Sequence, residues 1–141
     1  MHGTFSIGNL ASADPAPEGV VDVPVDRTSA LGNPYLMGPM YGAATHEDAA
    51  MREAVCDAYD ELLRSGAEAD IAAIGAKHGC VDIAEGFDGA AREAALHALA
   101  SRAAAGESMR LMCWCWPKRC HSMSVAKRVC ELLPPSRAGD V

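Results

Sequence analysis

The stretch that decides the fold is MRLMCWCWPKRCH, which occupies residues 109–121. Its first part, Met109–Cys115, is predicted as a central strand, because consecutive apolar residues replace the alternation of a half-exposed strand. Pro117 then predicts a turn, and the apolar spacing of Ser122–Leu133 predicts an amphipathic helix. The stretch therefore places a strand end, a loop and a helix start beside one another.

Further strands and helices are predicted before this stretch. The strands are Phe5–Leu10, Val20–Val25 and a brief one at Cys80–Ala84, and the helices are Thr45–Leu63, Glu68–Lys77 and Gly89–Ala105. Strands mixed with helices predict an α/β fold: one small domain, residues 1–141, with a short central sheet flanked by helices. Two prolines after the last helix predict a frayed tail at residues 134–141.

The composition argues against several functional classes. A net charge of −7 argues against broad electrostatic binding of nucleic acids. No apolar stretch is long enough to span a membrane, and residues 1–10 lack the basic start and apolar core of a signal peptide. We therefore expect a cytoplasmic protein without membrane contacts, whose six cysteines are reduced.

The cluster of cysteines in the deciding stretch has one interpretation as a metal site. Cys113, Cys115, Cys120 and His121 are four ligands that suit zinc or an iron–sulfur centre. Their spacing is tight, however, and the short loop before Cys120 makes it hard for all four to point to one centre. We therefore predict no bound metal and no other cofactor, and keep zinc or an iron–sulfur centre as the alternative. Cys113 and Cys115, two apart on one strand, are also not expected to pair as a disulfide.

A second interpretation is a reactive or anion-binding site at the start of the last helix. Helix N-termini lower the pKa of thiols and attract anions, and ligands bind where the strands of open α/β sheets end. Cys120, His121 and Cys115 are the candidate catalytic residues, as nucleophile or acid and base. Lys118 and Arg119 are candidates to bind the substrate.

The third interpretation is that the cysteines are small apolar residues buried in the core. This is the favoured interpretation for Cys130, which the helical pattern groups with Val125, Val129 and Leu133.

A loop near the N-terminus offers two more candidate substrate-binding residues. Gly32-Asn33-Pro34 is a turn signal, and Asn33 can hydrogen-bond its own turn or a ligand. Arg27 carries a planar fork of donors suited to phosphate or carboxylate. An ordinary loop with a solvated arginine is the alternative interpretation.

Together the two segments resemble a known family. RTSALGNPY at residues 27–35 is similar to an Arg-x-Ser-x-x-Gly-Asn-Pro-aromatic motif, and CWCWPKRCH at residues 113–121 is similar to a Cys-Trp-Cys-x-Pro-x-x-Cys-His motif. Both resemble motifs of the bacterial and phage family called domain of unknown function 4326. The resemblance implies a small α/β fold, an insertion at residues 65–87, and one site made by both motifs. It implies no known reaction, and Asp26 stands where the family usually has glycine.

We therefore expect a domain that handles a phosphorylated small molecule or nucleotide, as an enzyme or as a binding domain. The alternative is a non-enzymatic protein-interaction module stapled by zinc or an iron–sulfur centre.

Overall fold

The computed structural model describes residues 2–12, 14–36, 49–114 and 118–134. Within these ranges the chain forms a small α/β domain, as predicted. Its elements are, in order, β1 Phe5–Asn9, β2 Val20–Pro24, α1 Ala49–Ser65, α2 Ile71–Lys77, α3 Gly89–Ala104, β3 Ser108–Cys113 and α4 His121–Leu132. None of these helices is both long and apolar enough to cross a bilayer.

The sheet has three parallel strands in the order β1-β3-β2. The predicted central position of the third strand is therefore confirmed, with Leu111 opposite Ile7 on one side and opposite Val23 on the other. Parallel pairing places the carboxyl ends of all three strands at one edge of the sheet. Residues that follow the strands are thus brought together although they are far apart in sequence.

The helices pack onto the sheet through α4, which contacts β1 and β3. Val125 and Val129 of this helix are fully buried, as are Tyr59 of α1 and Leu96 of α3. Because α1 and α3 both pack against α4, the final helix links the sheet to the rest of the helical layer.

Beyond shifts of one or two residues at the ends of elements, the structure differs from the sequence prediction in two places, and one predicted boundary is not described. The start predicted at Thr45 lies outside the described residues. The second helix begins at Ile71 rather than Glu68, because the Asp70 side chain accepts a hydrogen bond from Ala73 N and caps the helix there. The strand predicted at Cys80–Ala84 is wrong: in the described residues this segment forms a single antiparallel bridge, between Ile83 and Tyr35.

The placement of Cys130 in the core is also wrong, because the side chain is exposed. Each residue of a helix is rotated by about 100° from the last. The buried positions of α4 are Ser122, Ser124, Val125 and Val129, and Cys130 has turned away from them.

Replacing Val125 by alanine should lower the free energy of unfolding by about 2–3 kcal/mol, because it removes fully buried methyl groups and leaves a cavity. The matched control is Val81→Ala, since the Val81 side chain is 79% exposed. We expect the control to change stability by no more than about 0.5 kcal/mol. Urea unfolding of the three proteins measures both effects, and equal losses would contradict the assignment of the core.

Candidate functional site

The two sequence motifs meet at the carboxyl edge of the sheet. Val25, directly after β2, donates its backbone N–H to Met112 O at 2.9 Å and so extends the pairing beyond the strand. On the other side of β3, the Asn9 side chain donates to Trp114 O at 3.0 Å. These bonds fix the chain on both sides of the point where β3 ends.

Asp26 and Trp114 form the first side-chain contact between the motifs. The indole Nε1 of Trp114 donates to Asp26 Oδ2 at 2.9 Å, and Thr28 donates to the other carboxylate oxygen. Burial acts to raise the pKa of Asp26, but these hydrogen bonds outweigh it and the pKa lies below its ordinary value. The carboxylate is therefore charged at neutral pH while only 8% exposed. Sequence reasoning did not select this residue, and the sole signal was its place where the family usually has glycine.

His121 makes the second contact, because its Nε2 hydrogen-bonds the carbonyl oxygen of Val25. A carbonyl only accepts, so Nε2 carries the proton. The pKa of His121 is lowered to about 4: burial is the largest cause and the charge of Arg27 acts in the same direction, while Val25 O and Asp26 act in the opposite direction. The ring also stands edge-on to Tyr59, with centroids 5.3 Å apart. At neutral pH the imidazole is uncharged, and Nδ1 is its hydrogen-bond acceptor.

A buried row of sulfur and oxygen atoms lies beside this imidazole. Cys120 Sγ lies 3.6 Å from His121 Nδ1 and 2.7 Å from Cys113 Sγ, which in turn lies 3.4 Å from Ser122 Oγ. Cys113 is fully buried and Cys120 is 2% exposed. Cys113, Cys120 and His121 are thus neighbours, while the expectation that all four side chains can hardly point to one metal centre stays a prediction, because Cys115 lies outside the described residues.

The metal-ligand set is only partly described. Cys115, one of its four expected members and a candidate catalytic residue, lies outside the described residues. Among the residues that the structure does describe, no group of three or more His, Cys, Asp or Glu side chains is arranged to hold a metal ion. The predictions about zinc, iron–sulfur and Cys115 therefore stay predictions.

Arg119 joins its loop to helix α1. Its guanidinium pairs with Glu53 and, at 2.9 Å, with Asp57, while its carbonyl oxygen accepts from Cys56 Sγ at 3.8 Å. The side chain expected to bind substrate thus already has carboxylate partners in its own protein. Lys118, the neighbouring candidate, is exposed.

Arg27 and Asn33 hold the first motif together. Arg27 Nε donates to Asn33 O at 2.8 Å and its NH2 group donates to Tyr35 O at 3.2 Å. The buried Asn33 amide donates to Val55 O of α1 at 3.0 Å and accepts from Tyr35 N at 2.9 Å. The same loop requires glycine at position 32, because a Cβ on Gly32 would lie 2.5 Å from Arg27 Cα. Asn33 therefore supports the loop, whereas the exposed Arg27 is held in one orientation.

A cleft of about 330 Å³ opens beside Arg27. Its walls are residues 27–30 of the first motif and residues 85–88 with Ala91, at the start of helix α3. Asp88 caps that helix by accepting from Ala91 N at 3.0 Å. Sequence reasoning missed residues 85–88, because the end of a predicted insertion carries no motif that would connect it with residue 27.

Comparison with known proteins identifies the family and nothing more specific. A family model described as "Domain of unknown function (DUF4326)" matches residues 9–131, and the chain belongs to that family. This confirms the predicted family. No curated protein and no solved structure matches the chain.

The part-buried, neutral His121 predicts a loss of stability in acid. The unfolded chain takes up a proton at this side chain near pH 6.5, whereas the folded chain resists protonation down to about pH 4. The stabilising effect is therefore complete above pH 6.5 and is lost as the pH falls toward 4. A shift of this size corresponds to about 3 kcal/mol.

His121→Gln should remove this part of the pH dependence, because glutamine does not titrate. Urea unfolding at pH 7 and at pH 4.5 compares the variant with the natural chain. An imidazole NMR signal that is absent from the variant and titrates near pH 4 would identify the group directly. An equal loss of stability in both proteins would contradict the assignment.

Proposed function

We propose that this protein binds a phosphorylated small molecule, with a nucleotide as the leading candidate, in the cleft beside Arg27. The observation that carries the proposal is the guanidinium, which two backbone carbonyls hold in one orientation at the wall of a cleft of about 330 Å³. A pre-oriented planar fork suits phosphate oxygens, because little side-chain entropy is lost when it binds. The volume falls within the range of about 300–1,000 Å³ that small-molecule sites occupy.

The opposite wall of the cleft has groups that fit the rest of a nucleotide. Phe87 offers an aromatic surface for a base, and the carboxylates of Glu85 and Asp88 can accept hydrogen bonds from ribose hydroxyls. The two carboxylates also repel a highly charged ligand, so the balance of charge favours a monophosphate over a triphosphate. Helix α3 begins at this wall, so the partial positive charge of its first turn lies near the cleft.

The position of the cleft supports binding rather than catalysis by the thiol cluster. The residues that form its walls do not include Cys120 or His121. Cys120 Sγ is buried, and His121 Nδ1 lies beside that sulfur. We therefore propose a binding domain, and an enzymatic role of Cys120, His121 or Cys115 stays a prediction.

The metal-stapled module is the competing proposal, and it requires the sulfur atoms of Cys113 and Cys120 to move apart. Two thiolates on one tetrahedral zinc, each at about 2.3 Å, lie about 3.8 Å apart. Cys113 Sγ and Cys120 Sγ lie 2.7 Å apart, so zinc would have to separate them by about 1 Å. Metal analysis of protein purified without added metal tests this: stoichiometric zinc or iron, lost together with the fold on chelation, would establish the alternative.

Arg27→Ala should weaken binding of adenosine monophosphate about tenfold or more, because it removes a charge-assisted hydrogen bond to phosphate. Arg27→Lys keeps the charge but loses the planar fork of donors, so its affinity should lie between those of the natural chain and of Arg27→Ala. The matched control is Arg64→Ala, which removes an exposed arginine that pairs with Asp60 on α1. Calorimetric titration with adenosine monophosphate and with inorganic phosphate measures the affinities.

NMR shift perturbation provides the location of binding. Changes confined to the amides of residues 27–30 and 85–91 would support the proposed cleft. The proposal is wrong if neither ligand binds at millimolar concentration, or if both bind Arg27→Ala as tightly as the natural chain. A thermal melt of each variant separates lost binding from lost folding.

A further inference from the structure

We propose that Cys113 and Cys120 form a redox-active dithiol, which hydrogen peroxide oxidises to a disulfide and a small dithiol reductant restores. This activity is separate from the proposed ligand cleft, whose walls contain neither cysteine. It rests on the positions of the two sulfur atoms and of the groups around them.

The two sulfur atoms are placed for bond formation. Cys120 Sγ and Cys113 Sγ lie 2.7 Å apart, so only a small movement separates the contact from a covalent bond of about 2.05 Å. The two cysteines belong to different elements, since one ends β3 and the other is the N-cap residue of α4. The bond would therefore join the end of the central strand to the first turn of the helix that packs on it.

The surroundings favour Cys120 as the thiol that reacts first. It is the N-cap residue of α4, so its sulfur lies at the positive end of the helix dipole, 3.6 Å from His121 Nδ1. Cys113 Sγ, beside Ser122 Oγ at 3.4 Å, is then the resolving thiol.

The reaction proceeds in two balanced steps. The Cys120 sulfur attacks one oxygen of hydrogen peroxide, the O–O bond breaks, and a sulfenic acid and one water form as the thiol proton passes to the leaving oxygen. The Cys113 sulfur then attacks the Cys120 sulfur and displaces the hydroxyl group, which leaves as a second water with the Cys113 proton. Two thiols are oxidised and one peroxide is reduced to two waters. A dithiol reverses the bond by exchange and becomes a disulfide itself.

Burial limits which oxidant can act. Because both cysteines are at most 2% exposed, only a small oxidant can reach the sulfurs. Hydrogen peroxide meets this condition, since it is little larger than water. Disulfides in reducing compartments are mostly transient, catalytic or redox-sensing. A disulfide that forms only on oxidation and is then reduced again is compatible with cysteines that are otherwise reduced.

The sequence allows a direct test by mass spectrometry on the full chain. Trypsin cleaves after Arg110, Lys118, Arg119 and Lys127, and so separates residues 111–118, which contain Cys113, from residues 120–127, which contain Cys120. After treatment with equimolar hydrogen peroxide and alkylation of the remaining thiols, the two peptides should be linked. Fragmentation on either side of Trp114 distinguishes a bond at Cys113 from one at Cys115. The link should disappear after treatment with dithiothreitol.

Single substitutions provide the controls. Cys115→Ser and Cys130→Ser should keep the link, and Cys113→Ser and Cys120→Ser should abolish it. If Cys113→Ser and Cys120→Ser fail to fold, fragmentation of the linked peptides from the natural chain still identifies which cysteines are bonded. The proposal is overturned if the natural chain shows no linked peptide, if the bond maps to Cys115, or if a co-purified zinc ion protects both thiols from peroxide.

Discussion

The parallel pairing of β3 between β1 and β2 is the constraint on which the rest of the structure depends. It brings three strand ends to one edge of the sheet, and the two motifs follow two of those strands. Val25 and Met112 continue the pairing by one further hydrogen bond. The contacts of Trp114 with Asp26 and of His121 with Val25 then form at that edge, between residues about ninety positions apart.

Helix α1 is the second support, because both motifs are anchored to it. The first motif is held by Asn33, which donates to Val55 O, and by Leu31, whose carbonyl oxygen accepts from Tyr59. The second motif is held through Arg119, whose side chain pairs with carboxylates of the helix and whose carbonyl faces it. Residues expected to contact a ligand are thus partly used to fix the two loops to one another.

Polar groups divide into two environments at this edge of the sheet. The buried one contains the two thiols, Ser122 and a neutral imidazole, where low exposure strengthens each hydrogen bond and disfavours charge. The open one contains Arg27 and the start of α3, where charge is tolerated. Asp26 and Arg27 are consecutive, so one loop contributes a side chain to each of the two environments. Asp26 keeps its charge in the buried environment because Thr28 and Trp114 donate to it.

The sequence by itself determined the α/β class, the three main strands and the central position of β3, since these depend on local patterns of apolar residues and turn signals. The family followed from the resemblance of two motifs. The sequence also selected the two motifs that meet. It did not determine the roles inside them: Asn33 and Arg119 look like ligand-binding residues in sequence, and only the fold shows the partners that occupy them. Nor did it reveal Asp26, the cleft at residues 85–88, the exposure of Cys130 or the contact between two sulfurs. Those features depend on which distant side chains share a space, and only tertiary packing decides that.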